Sequence, residues 1–260
     1  MPEKKLVTQS ETDFLDVIQI SDPHIDADCE ARFVNVDTAM TLANVIDEIN
    51  HNEAPDLVLL TGDLVNKVSK PSYRRLLQIL HTSPYSIYCL PGNHDEPQIM
   101  ESELNTGNTS TKKVLYSQHW DLVLLDSVVA NSQSGYLSSR ELEFLEQQLV
   151  RTGDKPVLVA LHHHPLPVNS SWMDRMMLDN PEDFFKVLDR FPQVRAVLCG
   201  HIHNAFSLKR RGTLLLGCPS TCVQFNLEQE STKIIDKPPA YRRLKLCKNG
   251  EIESIIRWLE

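Results

Sequence analysis

Residues 56–63 read Asp-Leu-Val-Leu-Leu-Thr-Gly-Asp, a short apolar run that stops at Thr61, Gly62 and Asp63. A run this brief and this rich in Val and Leu is a buried strand and too short for a core helix. The pattern recurs along the chain. VIQI leads into Ser21-Asp22-Pro23-His24, SIYCL into Pro91-Gly92-Asn93-His94-Asp95, VLVAL into His162-His163-His164-Pro165, and AVLC into Gly200-His201-Ile202-His203. Each of these apolar strands terminates in Asp, Asn or His. In open α/β sheets the loops at the carboxyl ends of strands converge and bind ligands. The polar residues are therefore expected along one edge.

Working outward, FLDVIQI, DLVLLD and TLLLGC add strand-like runs, and amphipathic stretches lie between the strands. Thr38–Asn50 carries Leu42, Val45, Ile46 and Ile49 on one face, and Tyr73–Leu80, Arg140–Leu149 and Glu182–Phe191 also fit helices. Ser138 or Ser139 ahead of Glu141 looks like a capped start, and Pro181 suits a first helical turn. Strands alternating with helices predict a layered α/β architecture. Near the end, RRLKLCKNGEIESIIRWL reads as a hairpin of about residues 241–260, with Lys248-Asn249-Gly250 as its turn. Segments 101–113 and 226–240 are polar and read as surface loops. No repeat or linker divides the chain, so one domain over residues 1–260 is expected.

Composition bounds the function. Of 260 residues 41% are hydrophobic, enough for a sizeable core, and the net charge of −9 disfavours sequence-independent nucleic-acid binding. No stretch approaches a membrane span, and MPEKKLVTQSETDF lacks the apolar centre of a signal peptide. The six cysteines fall mostly in strand-like runs without CxxC spacing, which predicts reduced thiols in a cytoplasmic protein.

The residue types suit metal ligation. Asp22 and His24, like His201 and His203, are two apart, which turns both side chains to one side of an extended backbone. A glycine precedes Asp63, Asn93 and His201, where it lets the chain turn without crowding an ion. Carboxylate, imidazole and amide oxygen suit Mn, Fe or Zn, and the lack of thiolate ligands argues against a closed structural zinc site. Seven such ligands exceed the needs of one catalytic ion, whereas two ions sharing a carboxylate use them naturally. Each piece alone has a plain reading as a turn, a cap or a solvated loop. Their joint occurrence in order, each after an apolar strand, does not.

Asp22-Pro-His24, Gly62-Asp63, Gly92-Asn93-His94-Asp95, His163 and Gly200-His201-Ile-His203 resemble the calcineurin-like metallophosphoesterase family in order and spacing, over about residues 16–224. Within it LHHHPLPVNSSWMD (161–174), LCGHIHN (198–204) and CPSTCVQFN (218–226) are most similar to bacterial class III 3′,5′-cyclic AMP phosphodiesterases. The resemblance implies a four-layer sandwich, two mixed β-sheets flanked by helices. It implies Asp22, His24, Asp63 and His203 on one metal, with Asp63 bridging to a second held by Asn93, His163 and His201. His163 takes that place as the position two before Pro165, with His162 and His164 as alternatives. Asn93, His94 and His203 would contact substrate.

The implied reaction is attack of a metal-bridging hydroxide on cyclic AMP, expelling the ribose 3′ oxygen to leave 5′-AMP. His94 would protonate that oxygen, or else orient Asp63 or the water. Asp95 would orient His94 or cap its turn. Competing expectations are a 2′,3′-cyclic nucleotide or other small phosphodiester, and a non-catalytic scaffold of the same fold, against which the filled ligand positions weigh. Fe, Mn, Zn and Co are not distinguished by these ligands. Trp172 and Phe225 are expected as aromatics near the site or as packing, and the oligomeric state is left open.

Overall fold

In the computed structural model, which describes residues 13–260, Phe14–Ile20 (β1) presents two apolar faces. Leu15 and Val17 enter one core, whereas Ile18 and Ile20 enter another. Thr38–Asn52 (α1) follows, and then Leu57–Thr61 (β2) repeats the division, with Leu57 and Leu59 on one side and Val58 and Leu60 on the other. Strands buried on both faces must lie between two covering layers. For the first sheet those layers are helices on one side and a second sheet on the other.

The helical layer consists of α1, Lys70–Leu80 (α2) and Pro97–Leu104 (α3), which follows Ile87–Leu90 (β3). Asp37 and Ser69 cap α1 and α2 by accepting from Met40 N and Ser72 N. Thr109–Ser110 (β4) closes that edge of the first sheet. Val114–Tyr116 (β5), Asp121–Leu124 (β6), Ser139–Thr152 (α4), Val157–Ala160 (β7), Pro181–Leu188 (α5) and Val194–Cys199 (β8) build the second half. Phe206–Arg210 (β9) and Thr213–Gly217 (β10) complete its sheet. Gln224–Phe225 (β11) and Ile234–Ile235 (β12) form a small separate ribbon, and Ala240–Cys247 (β13) and Ile252–Trp258 (β14) return to the first sheet.

The first sheet runs β14-β13-β1-β2-β3-β4 and the second β5-β6-β7-β8-β10-β9. Both are mixed: β1 to β4 and β6 to β8 with β10 are parallel, and antiparallel strands flank them. Leu59, Leu90, Leu122, Leu158, Leu198 and Trp120 fill the space between the sheets. The helices α4 and α5 cover the outer face of the second sheet through Leu145, Leu149, Phe184 and Leu188. The four-layer sandwich is thus the observed architecture. Among the described residues no helix is long and apolar enough to cross a membrane. The amino-terminal stretch read for a signal lies almost wholly outside the described residues.

Some local expectations change. Segment 101–113, read as a loop, holds the second half of α3 and all of β4, and 226–240 contains β12. The strands β5 and β9 also escaped the pattern: β5 has only three residues, and the mixed polarity of β9 breaks the apolar run by which the others are recognised. The expected caps hold: Ser138 accepts from Glu141 N, and Pro181 opens α5. At the hairpin, Gly250 takes φ +84° and donates to Cys247 O across Lys248-Asn249-Gly250.

Candidate metal centre

The carboxyl ends of β1, β2 and β3 meet those of β7 and β8 where the two sheets come closest. Gln19 in β1 donates to Cys199 O in β8, and Gly200 N donates to His162 O. Gly200 permits this approach: a Cβ there would overlap Ser21 Oγ and stand 2.6 Å from Thr61 O. His201 N donates to both oxygens of Asp22 at 3.1 and 3.2 Å, which ties the two sheet edges through a candidate ligand.

The backbone carrying these side chains is unusual. Asp22, His24, Asp63, His201 and His203 have φ of 55°, 47°, 50°, 67° and 43°. Non-glycine residues rarely occupy this left-handed region, and a cluster of them marks a functional site whose surroundings over-determine the geometry. The turns fold each side chain back over its own strand end instead of letting it run on into solvent.

Two groups of ligand atoms result, with Asp63 between them. On one side Asp22, His24 and His203 converge, with His203 Nε2 3.4 Å from Asp22 Oδ1 and 3.2 Å from His24 Nε2. His24 Nε2 lies 3.6 Å from Asp63 Oδ2. On the other side His162 Nε2 lies 3.3 Å from Asp63 Oδ1 and 3.2 Å from Asn93 Oδ1. The ring of His201 packs 5.0 Å from that of His162, centroid to centroid.

Backbone carbonyls hold two of the rings. His162 Nδ1 pairs with Thr61 O at 2.9 Å and His203 Nδ1 with Val223 O at 2.8 Å, which turns each Nε2 into the cluster. Such outer contacts commonly fix the tautomer of a ligating imidazole.

The three adjacent histidines separate by position. His162 stands against Asp63 and Asn93. His163 turns to Ser127, its Nδ1 2.8 Å from Ser127 Oγ, while its Nε2 stays near the nitrogens of His162 and His201. His164 faces Asp174, 3.7 Å from Oδ1. Ser127 was not singled out from the sequence. It follows the end of β6, so the strand-end pattern that exposed the other residues would have reached it.

His94 sits on the cleft wall. Its backbone N–H donates to Asp63 Oδ1 at 2.9 Å, and its Nδ1 lies 3.1 Å from Asn66 O. The ring stands edge-on to that of His24 at 4.8 Å. Asp95 does not bond to His94. Its carboxylate accepts from Leu64 N, Val65 N, Gly92 N and Tyr73 OH, and so clasps the β2 and β3 loops together.

A cleft of about 180 Å³, open to solvent, lies over this cluster. Trp172 and Phe225 line it, packed edge to face at 5.4 Å, and Phe225 stacks on His203 at 4.2 Å. Phe33, stacked on His24 at 4.4 Å, forms the facing wall together with Gln133 and Thr232. These last three residues carry no motif and were not foreseen.

The charges in the site demand a partner. Burial works against a charge on Asp22 and Asp63, yet His203 beside the first and His162 beside the second hold both carboxyls below the usual range. Burial likewise opposes a charge on His162, but the Asp63 carboxylate overcomes it and lifts this imidazole to about 9. His24 is pushed down to about 3 by burial, so it is neutral and ready to ligate. The Nε2 atoms of His163 and His201 are buried without a hydrogen-bond partner. Buried anions, converging imidazole nitrogens and orphaned lone pairs fit divalent cations, as does a donor set of oxygen and nitrogen.

A two-sheet sandwich with this cluster at its carboxyl edge is the architecture of metal-dependent phosphoesterases. Residues 15–205 match the calcineurin-like phosphoesterase family, and the chain belongs to it. It is 38% identical to a 3′,5′-cyclic-nucleotide phosphodiesterase of Nostoc sp., over 91% of this chain and 89% of that protein. It is 35% identical to a 3′,5′-cyclic adenosine monophosphate phosphodiesterase of Vibrio vulnificus, over 94% of this chain and 89% of the relative. Among solved structures, a dimetal phosphatase from Danio rerio superposes with a TM-score of 0.65 at 13% identity, covering 95% of this chain and 99% of the other. That likeness concerns the fold.

Proposed function

We propose that this chain hydrolyses 3′,5′-cyclic AMP to 5′-AMP, with two metal ions held by Asp22, His24, Asp63, Asn93, His162, His201 and His203. The observation that carries the reading is the convergence of these seven side chains into one buried cluster, of which His24, Asp63, Asn93, His201 and His203 line the same cleft as His94. The named activities of the relatives support the substrate, since both act on 3′,5′-cyclic nucleotides. His162 takes the ligand place that the family spacing assigns to His163, because His162 Nε2 is the nitrogen set against Asp63 and Asn93; His163, whose buried Nε2 lacks a partner in the same cluster, is the second candidate for it. Asp63 would serve both ions, as its two oxygens face His24 and His162 respectively. The reading keeps residues 1–260 as one domain acting on a small molecule in the cytoplasm, where six free cysteines persist reduced.

When bound, such ions lower the pKa of a water molecule and offset the charge on the phosphate. The chain supplies the rest. The Asn66 carbonyl would accept a hydrogen bond from Nδ1–H of His94, and the imidazolium form would then give its Nε2 proton to the ribose 3′ oxygen as the P–O3′ bond breaks, leaving the neutral ring with its proton on Nδ1. An alkoxide leaves poorly without it. Phe33 against His24 and Phe225 against His203 screen the reacting phosphate from bulk water and limit the poses a nucleotide can take. The cleft is small and walled by these aromatic rings, which suits a small diester better than a polymer.

The test is product identification over 3′,5′-cyclic AMP, 3′,5′-cyclic GMP, 2′,3′-cyclic AMP and bis(p-nitrophenyl) phosphate, with metal analysis of the same preparation. The expected result is 5′-AMP from cyclic AMP at the highest kcat/KM, and loss of both metal and turnover in Asp63→Ala. Preference for the 2′,3′-cyclic diester would reassign the substrate. Absence of turnover on every diester by metal-loaded protein would make the chain a non-catalytic member of the family.

A further inference from the structure

The first sheet ends in β14, whose outer edge pairs with no other strand among the described residues. Unpaired edges invite pairing with another chain, and proteins usually blunt them with brevity, Pro, Lys or a bulge. The other edges follow that practice: β4 has two residues, β5 has three, and β9 ends in Lys209-Arg210. By contrast β14 is seven residues long, Ile-Glu-Ser-Ile-Ile-Arg-Trp, with no Pro, Gly or Lys. It exposes Ile255 and Trp258 at 47% and 37%.

The hairpin shows which backbone groups face outward. Cys247 N donates to Glu251 O and Leu259 N to Pro239 O, so odd-numbered residues of β14 turn their N–H and C=O towards β13. Ile252, Ser254, Ile256 and Trp258 therefore direct theirs to the free edge.

We propose that this edge pairs with its own copy, antiparallel, about a two-fold axis at Ile255, to join two six-stranded sheets into one. In that register Ile252 faces the partner's Trp258 and Ser254 faces the partner's Ile256. All four are residues with outward backbone groups, so these pairs form the hydrogen-bonded positions. Glu253 then faces the partner's Arg257, and Ile255 its own copy, at the non-hydrogen-bonded positions where side chains come closest.

The strand is thus self-complementary in charge, in apolar contact and in hydrogen-bonding phase at once. An isologous interface requires this, since the same patch must match itself. Moving the axis by one residue sets Glu253 or Arg257 against Ile255 and shortens the pairing. Glu253, Ile255 and Arg257 also line a shallow groove with Arg243 and Lys245, into which the partner's Ile255 packs. Arg257 leans on Glu53 at 3.5 Å with a half-exposed side chain, so it remains available to a second carboxylate.

The experiment is sedimentation velocity of the full chain from low micromolar to submillimolar concentration. The expected result is a reversible monomer–dimer equilibrium. Glu253→Arg and Arg257→Glu each place like charges opposite one another twice per dimer and should weaken association about tenfold or more. The double variant carrying both reversals should restore it. Ile255→Cys should form a disulfide dimer on mild oxidation that the parent protein does not, because the two copies meet at the axis. Circular dichroism and metal content confirm that each variant is folded. A protein that stays monomeric throughout overturns the proposal. So does a dimer indifferent to both single reversals, or one that the paired reversal fails to rescue.

Discussion

Replacing Asp95 tests whether the site depends on a clasp that touches neither substrate nor metal. Its carboxylate accepts from Leu64 N at 3.0 Å, Gly92 N at 2.9 Å, Tyr73 OH at 3.0 Å and Val65 N at 3.4 Å. All four donors are buried, so Asp95→Ala strands them. Each stranded donor costs about 1–3 kcal/mol, and taking the low end because water can enter the space left by the carboxylate gives about 4 kcal/mol. That is a large share of a typical folding stability of roughly 5–15 kcal/mol. Leu64 and Val65 follow Asp63, and Gly92 precedes Asn93, so the loss should also let the two ligand loops part. Urea unfolding with and without chelator measures both effects. The expected outcome is a midpoint well below that of the parent protein and metal loss before global unfolding. Tyr73→Phe, which removes one donor to Asp95 along with its bond and leaves Glu96 N without the Tyr73 oxygen it donates to, should cost less, about 2 kcal/mol. A fully metal-loaded Asp95→Ala protein within 1 kcal/mol of the parent would refute the reasoning.

Three further outcomes are expected. His162→Ala should lose one metal ion and most turnover, while His163→Ala keeps more of both; the reverse order in metal analysis would return the ligand role to His163. His94→Ala should retain its metals and lose about 10²–10⁴ in rate on cyclic AMP but much less on a nitrophenyl diester, whose leaving group needs no proton. Equal losses on the two substrates would mean that His94 serves the phosphate or the nucleophile instead. Finally, His162 in the metal-free protein is raised to about 9 from an ordinary 6.5, so its pairing with Asp63 stabilises that state fully below about pH 6.5 and the benefit fades as pH rises through 9. Metal uptake must expel this proton, so affinity should climb with pH up to about 9, with about one proton released near neutrality. Calorimetry in buffers of different ionisation enthalpy counts it, and a count near zero would sink the assignment.

The layered fold was legible because its strands are buried on both faces. Val17 and Ile18, or Leu59 and Leu60, are adjacent and both apolar, and only a strand between two layers needs that. The rule fails where a strand is exposed. Phe206–Arg210 reads FSLKR and is mostly solvated, so its pairing with β10 leaves no apolar signature, and Thr109–Ser110 is too short to leave any. Pro97–Leu104 was missed for a different reason. Its buried positions are Met100 and Leu104 alone, and the polar residues after it blur the boundary.

In the site, strand ends were legible and registers were not. Asp22, Asp63, Asn93, His201 and His203 each fall just after an apolar run with no competing neighbour of the same type beside them, so position alone nominates them. Three consecutive histidines after β7 are different, because alternation on an extended backbone sends neighbours to opposite faces and any of the three could take the inward place. What sets His162 against Asp63 and Asn93 is tertiary: the Thr61 carbonyl that grips its Nδ1 belongs to β2, 101 residues earlier, and Gly62 leaves room for its ring, where a Cβ would overlap it. His163 is claimed by Ser127 and His164 turns to Asp174, each from another part of the chain. The motif therefore names the element that brings histidines to the cluster, and the partners on neighbouring strands decide where each of its rings points.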